Sequence, residues 1–198
     1  MARSIAIRGR RLSTAKKKFF PDLKSFIVSS VVIIVLIAFA VLVTDYNNVR
    51  RLYRYSVEAE VAKEACYEII DQRVGYTKAL IRIIDGNLDT ASLENLVAQW
   101  NTDSDITSAS RLYVDLDEAL EHLQRAAIDS DHYPAYSPYF DQIFILELQL
   151  IDEAARYEER ASFYNNQKRG FPALLVAKRH DLEDLLLFDF ASSLKGRP

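Results

Sequence analysis

One thiol, three imidazoles and a scatter of carboxylates are the side chains of this 198-residue chain with chemistry to offer. Cys66 is the single cysteine, so no internal disulfide can form and the redox compartment stays undetermined. Its helical neighbours Ala62, Ile69 and Ile70 make it a core filler, because a reactive thiol needs an electropositive, accessible setting. A carboxylate-bridged di-metal bundle would need Glu-x-x-His on two helices. The residue three before His122 is Ala119, that before His180 is Ala177, and Asp129 precedes His132 in a loop. No zinc spacing occurs. Asp103-x-Asp105 lacks the following Asp/Asn-Gly of a calcium loop and reads as solvated loop carboxylates. A Gly-rich phosphate loop and a Gly-x-Ser-x-Gly elbow are missing too. The expectation is a chain with no catalytic, metal or cofactor-binding residue, no cofactor and no small-molecule substrate.

Two charges break the apolar patterns around them. Glu147 falls on the apolar stripe of the last long helix and Arg73 interrupts that of the first. A lone buried carboxylate is costly unless paired. One reading has the two meet and fix the register between their helices, a role buried polar pairs sometimes play. The other has each tilt to solvent at the bundle edge.

The elements that carry these residues begin with an apolar run. Ser25 to Thr44 is 20 residues without a charge, bracketed by Lys24 and Asp45. Its heart, Phe26 to Val43, includes Ile27, Val28, Val31, Ile34, Leu36 and Phe39, and its only polar members are Ser29 and Ser30. A hydrocarbon core about 30 Å thick takes about 20 residues of helix. The run is apolar all round, unlike a helix lying on a soluble domain. A transmembrane anchor is the expectation. The competing readings are a cleaved signal, whose small-x-small triplet Ala38-Phe39-Ala40 lies inside the run rather than after it, and a buried core helix.

Charge sets the orientation. Residues 1–24 carry eight basic and one acidic side chain, net +7, while the other 174 carry 17 basic and 27 acidic, net −10. By the positive-inside rule the N-terminal tail is cytoplasmic and the larger part extracytoplasmic, in the cell membrane. Arg50, Arg51 and Arg54 after the span weaken that asymmetry. The acid-free, Arg/Lys/Ser-rich residues 1–21 also suit an organellar transit peptide, Arg10-Arg11 a twin-arginine signal, and a short basic arm nucleic acid. Attraction to anionic lipid heads is the simplest account of the tail, leaving no nucleic-acid partner expected.

Five Gly and five Pro in the whole chain leave room for long helices and little for a sheet. The fold class is therefore all-α. A first helix follows the anchor from Asp45 to Asp85, with Val49, Leu52, Ala59, Ala62, Cys66, Ile69, Ile70, Leu80, Ile83 and Ile84 as its stripe, and ends at Asp85-Gly86-Asn87. Shorter helices are expected over Thr90–Trp100 and Ser108–Ile128, the latter with Leu112, Leu116, Ala119, Leu120, Leu123 and Ala127 inward and Asp115, Glu118, Glu121 and Arg125 outward. Residues 129–138 read as a loop, with Pro138 at N1 of the last long helix behind Ser137. Ile143, Glu147, Leu150, Ala154, Tyr157, Ala161 and Tyr164 then repeat at 4-3-4-3-4-3 spacing, the pattern of an antiparallel bundle. Gly170-Phe171-Pro172 breaks that helix, and Leu182–Phe190 reads as a short amphipathic tail helix. The organisation is a basic tail over 1–24, a transmembrane helix over 25–44 and an elongated antiparallel bundle of about four helices, plus the tail helix, over 45–198.

The end of the long helix contains Tyr164-Asn165, then Phe171-Pro172 and Leu175-Val176-Ala177, and in this order and spacing it resembles the C-terminal signature of the LemA family. Tyr46-Asn47 directly after the anchor, Gln72-Arg73 further on, and Tyr133-Pro134 before the last long helix fit other positions of that family. The chain departs from it at Tyr157-Glu158, where the family has a second Tyr-Asn, and at Lys178-Arg179-His180-Asp181, where it has Gly-Phe. The resemblance implies an N-terminal anchor, a helical bundle and no established enzymatic activity. One branch of the family is tied to magnetosome membrane formation.

Tyr133, Tyr136, Tyr139 and Phe140 cluster at the start of the last helix, which suits a membrane interface, a protein partner or ordinary packing over the bundle's end. The functional expectation is a membrane-anchored scaffold that binds a protein partner or itself, or organises the membrane surface, without catalysis of its own. The alternative is an envelope sensor or regulatory subunit of an associated membrane enzyme.

Overall fold

The computed structural model of the chain describes residues 22–84 and 86–189. The tail up to residue 21, Asp85 of the expected turn and Phe190 lie outside them. The described residues form five helices and no strand: α1 (Leu23–Ile84), α2 (Ala91–Gln99), α3 (Ile106–Ile128), α4 (Tyr133–Arg169) and α5 (Ala173–Arg179). The chain divides into two compact units between Val43 and Thr44.

The first unit holds the apolar part of α1. An 18-residue window there reaches a mean hydropathy of 3.2 and none of it is covered by the rest of the chain. Phe26, Ile27, Val28, Val31, Ile34, Leu36, Phe39 and Val43 are all exposed. The Ser30 hydroxyl donates to the Phe26 carbonyl at 2.9 Å, so this polar group is satisfied within its own helix. The segment is long and apolar enough to cross a membrane.

The second unit is a helical bundle whose strand-like order can be read from its partners. Tyr55 meets Phe163, Arg160 donates to the Glu58 carbonyl, Arg73 reaches Glu147, and Asn87 donates to Tyr136. As the α1 residue number rises, its α4 partner's falls, so the two run antiparallel. Along α3 the trend is opposite: Tyr67 bonds the Ser104 carbonyl just before α3, and Arg73, later in α1, bonds Asp117, about three turns into α3. Hence α3 runs parallel to α1, and α4 runs antiparallel to both. The core is one apolar cluster drawn from α1 to α4, with Cys66, Ile70, Leu80, Leu116, Leu150 and Tyr157 among its members. A smaller cluster joins Leu52, Tyr164 and Ala173.

Each boundary has a local cause. Gly86 adopts φ +81 after α1, and the Asn87 N–H closes on the Ile84 carbonyl at 3.0 Å. Only glycine takes that left-handed turn without steric cost. Asp105 caps α3, accepting from the backbone N–H groups of Thr107 and Ser108 at 2.9 and 3.0 Å. α5 closes with Asp181 at φ 48, and the Leu182 N–H returns to the Ala177 carbonyl at 3.0 Å. That is the Schellman closure, here without its usual glycine.

Several sequence expectations are corrected. α3 begins at Ile106, not Ser108, because Asp105 is its cap rather than a loop carboxylate. Residues 129–138 are not one loop: α4 already starts at Tyr133, with Pro134 in its first turn and Pro138 inside the helix. Pro134 lacks a donor that has little use in a first turn, whereas Pro138, one turn further in, forgoes the bond its N–H would make to the Pro134 carbonyl, a single loss in a long helix. Residues 182–188 have no regular secondary structure rather than forming a helix, and the short C-terminal helix is α5, Ala173–Arg179.

Candidate functional site

The most polar point of the core is Arg73. It sits on the buried face of α1 and is 1% exposed. Its Nη2 donates to Asp117 Oδ1 at 2.6 Å and lies 3.7 Å from Glu147 Oε2. The guanidinium carbon stands 4.7 Å from the centre of the Tyr113 ring, within cation–π range. So α1, α3 and α4 each contribute a charge or an aromatic to one cluster. The expected Arg73–Glu147 meeting is present, and the solvent-facing alternative is not, since Glu147 is 2% exposed. Asp117 was missed by sequence reasoning. It lies one turn after Tyr113 on the flank of α3, a spacing that is visible once Tyr113 is assigned to the core.

Arg73 Nε and Nη1 are buried and have no acceptor within hydrogen-bond reach among the described residues. Arg73 also lines a cavity of about 200 Å³ together with Leu120, Gln124, Phe140, Ile143 and Glu147. The cluster is thus a three-helix ion network beside a small, partly polar void. Charges this deep are geometrically demanding, since any slip between helices leaves one of them unpaired.

The second polar constellation lies where residues 182–189, hereafter the strap, pass over the helices. The Asn165 amide donates to the Leu185 carbonyl and accepts from the Leu185 N–H, both at 2.9 Å. Lys168 Nζ donates to the Leu182 carbonyl at 2.9 Å, and the Tyr157 hydroxyl donates to the Leu186 carbonyl. The Asp189 N–H donates to Ser110 Oγ at 3.2 Å. Phe188, 7% exposed, fills the gap between Tyr67 and Tyr157, with ring centres at 5.9 and 5.3 Å. Asp184 pairs with Lys168 and Arg169. Hydrogen bonds from those two side chains hold its carboxyl below the usual carboxylate range. Burial, helped by the nearby Glu60 carboxylate, pushes the Tyr157 hydroxyl up to about 12, so it remains a donor.

The remaining sequence-singled residues scatter. Tyr46 and Asn47 are exposed, Gln72 is exposed and bonds Glu68 at 3.4 Å, and Phe171 is 84% exposed beside half-buried Pro172. Tyr164 packs under Lys168, whose Nζ is 5.6 Å from the ring centre. Tyr133, Pro134, Tyr136, Tyr139 and Phe140 lie at the bundle end that also holds the α1 C-terminus. Tyr136 and Phe140 are buried, and Tyr133 and Tyr139 pack against the same core. Ordinary packing therefore accounts for that aromatic cluster. Cys66 is fully buried, and burial raises its thiol to about 12. His122, His132 and His180 are exposed, and the described residues contain no group of three or more His, Cys, Asp or Glu arranged to hold a metal. His180 and Arg179 both face Asp45, with His180 at 3.6 Å.

No protein-family model, curated protein or solved structure matches the chain. The functional reading rests on the residues themselves.

Proposed function

We propose that the chain is a single-pass membrane protein whose helical bundle serves as a protein-interaction or membrane-organising scaffold, without catalysis of its own. One observation carries this reading. Eighteen consecutive residues of α1 combine a mean hydropathy of 3.2 with not one buried residue, and so much bare apolar surface needs lipid to cover it. The net +7 of residues 1–24 against −10 for the rest supports a cytoplasmic tail and an extracytoplasmic bundle in the cell membrane. The resemblance of Tyr164-Asn165, Phe171-Pro172 and Leu175-Val176-Ala177 to the LemA signature supports the same reading. The deep chemistry found, an ion network and a set of backbone-binding side chains, suits holding helices and chains together.

Purification of the tagged full-length chain in mild detergent, followed by mass determination, tests the scaffold. Self-assembly or a stoichiometric protein partner is expected. A lone monomer retaining no partner from several membrane preparations would contradict it, and a fixed complex with one membrane enzyme would favour a regulatory subunit instead.

A further inference from the structure

The strap is bound in a way that ordinary tail packing does not require. Lys168, Asn165, Tyr157 and Ser110 stand on two different helices, and together they make five hydrogen bonds to the backbone of the strap, beside the Lys168 bond to the Asp184 side chain. Bonds to backbone are available to any extended chain, whatever its side chains. Asn165 is the clearest case, since one amide completes both the donor and the acceptor of Leu185, as a neighbouring strand would. The strap has no regular structure of its own to satisfy those groups. Leu182 packs against the Leu52, Tyr164 and Ala173 cluster, and three further side-chain contacts give selectivity. Lys168 and Arg169 take the carboxylate of Asp184, Leu185 is half-buried against the core, and Phe188 enters the slot between Tyr67 and Tyr157. Leu186 and Leu187 face outward, 59% and 41% exposed.

We propose that the groove holding residues 182–189 is a binding site for an extended peptide from a partner protein, and that the chain's own strap fills it in cis. The peptide it fits has an acidic residue, an apolar residue directly after it, and a phenylalanine three positions further on. The two basic side chains at its head select the acid by charge, and the aromatic slot selects the phenylalanine by shape. The Schellman turn at Asp181 is the point at which the strap leaves the helices. A tethered segment competes at an effective concentration on the order of millimolar, so the wild-type groove is closed to weak peptides. The site deepens the scaffold reading, and it depends on that reading only for the existence of a partner.

The test uses the full-length chain in mild detergent and a fluorescent octapeptide of residues 182–189, read by anisotropy. Phe188→Ala in the chain weakens strap closure by roughly a hundredfold, the loss expected for a buried phenylalanine. This variant is expected to bind the peptide one-to-one and at least about tenfold more tightly than the wild type does. Replacing the peptide's phenylalanine by alanine, or adding Asn165→Leu to the chain, should each reverse the gain. A Phe188→Ala chain with wild-type helix content that binds no better than wild type overturns the proposal. So does binding indifferent to Asn165→Leu, or a wild-type chain found as a dimer with its strap seated in the second copy. Should Phe188→Ala fail to fold, hydrogen exchange on the wild type decides. The Leu185 and Asp189 amides are expected to exchange at least about a hundredfold faster than the α4 amides around Leu150, and equal rates would overturn the proposal. A positive result beside a partnerless purification would retain the site and discard the scaffold.

Discussion

Replacing Arg73 by methionine is the sharpest test of how the bundle is held in register. Methionine keeps the length and apolar stem but removes the guanidinium that meets Asp117 and Glu147, at 2.6 and 3.7 Å. Asp117 is 22% exposed at its side chain and can turn to water, but Glu147 is 3% exposed and cannot. Breaking a buried pair so that one charge is stranded costs about 3–5 kcal/mol. Losing the stacking on Tyr113 adds about 1 kcal/mol more. At about 3 °C per kcal/mol for a domain of this size, the bundle's melting temperature should fall by roughly 12–18 °C. Thermal unfolding followed by circular dichroism at 222 nm on the detergent-solubilised chain measures it. The decisive variant is Arg73→Met with Glu147→Leu, because it removes the stranded charge. It should melt above Arg73→Met alone, with a coupling of at least about 1 kcal/mol. A single substitution costing under about 0.5 kcal/mol, or a double variant whose losses simply add, would refute the network.

Other expectations follow from the same geometry. Leu150 is fully buried on the α4 stripe, so Leu150→Ala should cost about 2–5 kcal/mol in urea unfolding, whereas Ile83→Ala at a 38% exposed position should cost little. Cys66 should resist a thiol reagent at pH 8 until denaturant is added, since its thiol is buried and raised to about 12. That shift, with Tyr67 and Tyr157 raised from 10 to about 12, also sets an alkaline limit. The unfolded chain gives up these protons first, so stability is full below about pH 9 and falls steadily towards pH 12, as a pH series of urea titrations would register. Asp181→Gly should leave the fold unchanged and raise stability by up to about 1 kcal/mol, because it relieves a left-handed residue with a side chain; a lower midpoint in urea would contradict the Schellman assignment.

The helices were legible in the sequence because their stripes are long. All seven α4 positions from Ile143 to Tyr164 at 4-3 spacing are buried, including the charged Glu147. The conflict between Glu147 and its apolar neighbours was itself the signal for the ion network. Asp117 escaped because a carboxylate on the flank of an amphipathic helix looks the same whether it faces water or a buried cation. The start of α4 escaped because two prolines and a polar run imitate a loop, while Tyr136 and Phe140 were pulling that turn into the core. Leu182–Phe188 misled most. Leu185 and Phe188 are three apart and read as a helical face, yet the side chains that bind this segment's backbone sit on α3 and α4, far away in sequence. A tertiary override of this kind leaves no local trace.

The central claim is that Ser25–Thr44 stays in the bilayer and anchors the bundle. Extraction of isolated membranes with alkaline carbonate, with the N-terminus of the recovered chain sequenced, tests it most directly. The account requires an uncleaved chain in the membrane pellet, moved to the supernatant by placing lysines at Ile33 and Ile37. A polypeptide beginning near Val41 and released by carbonate would contradict it.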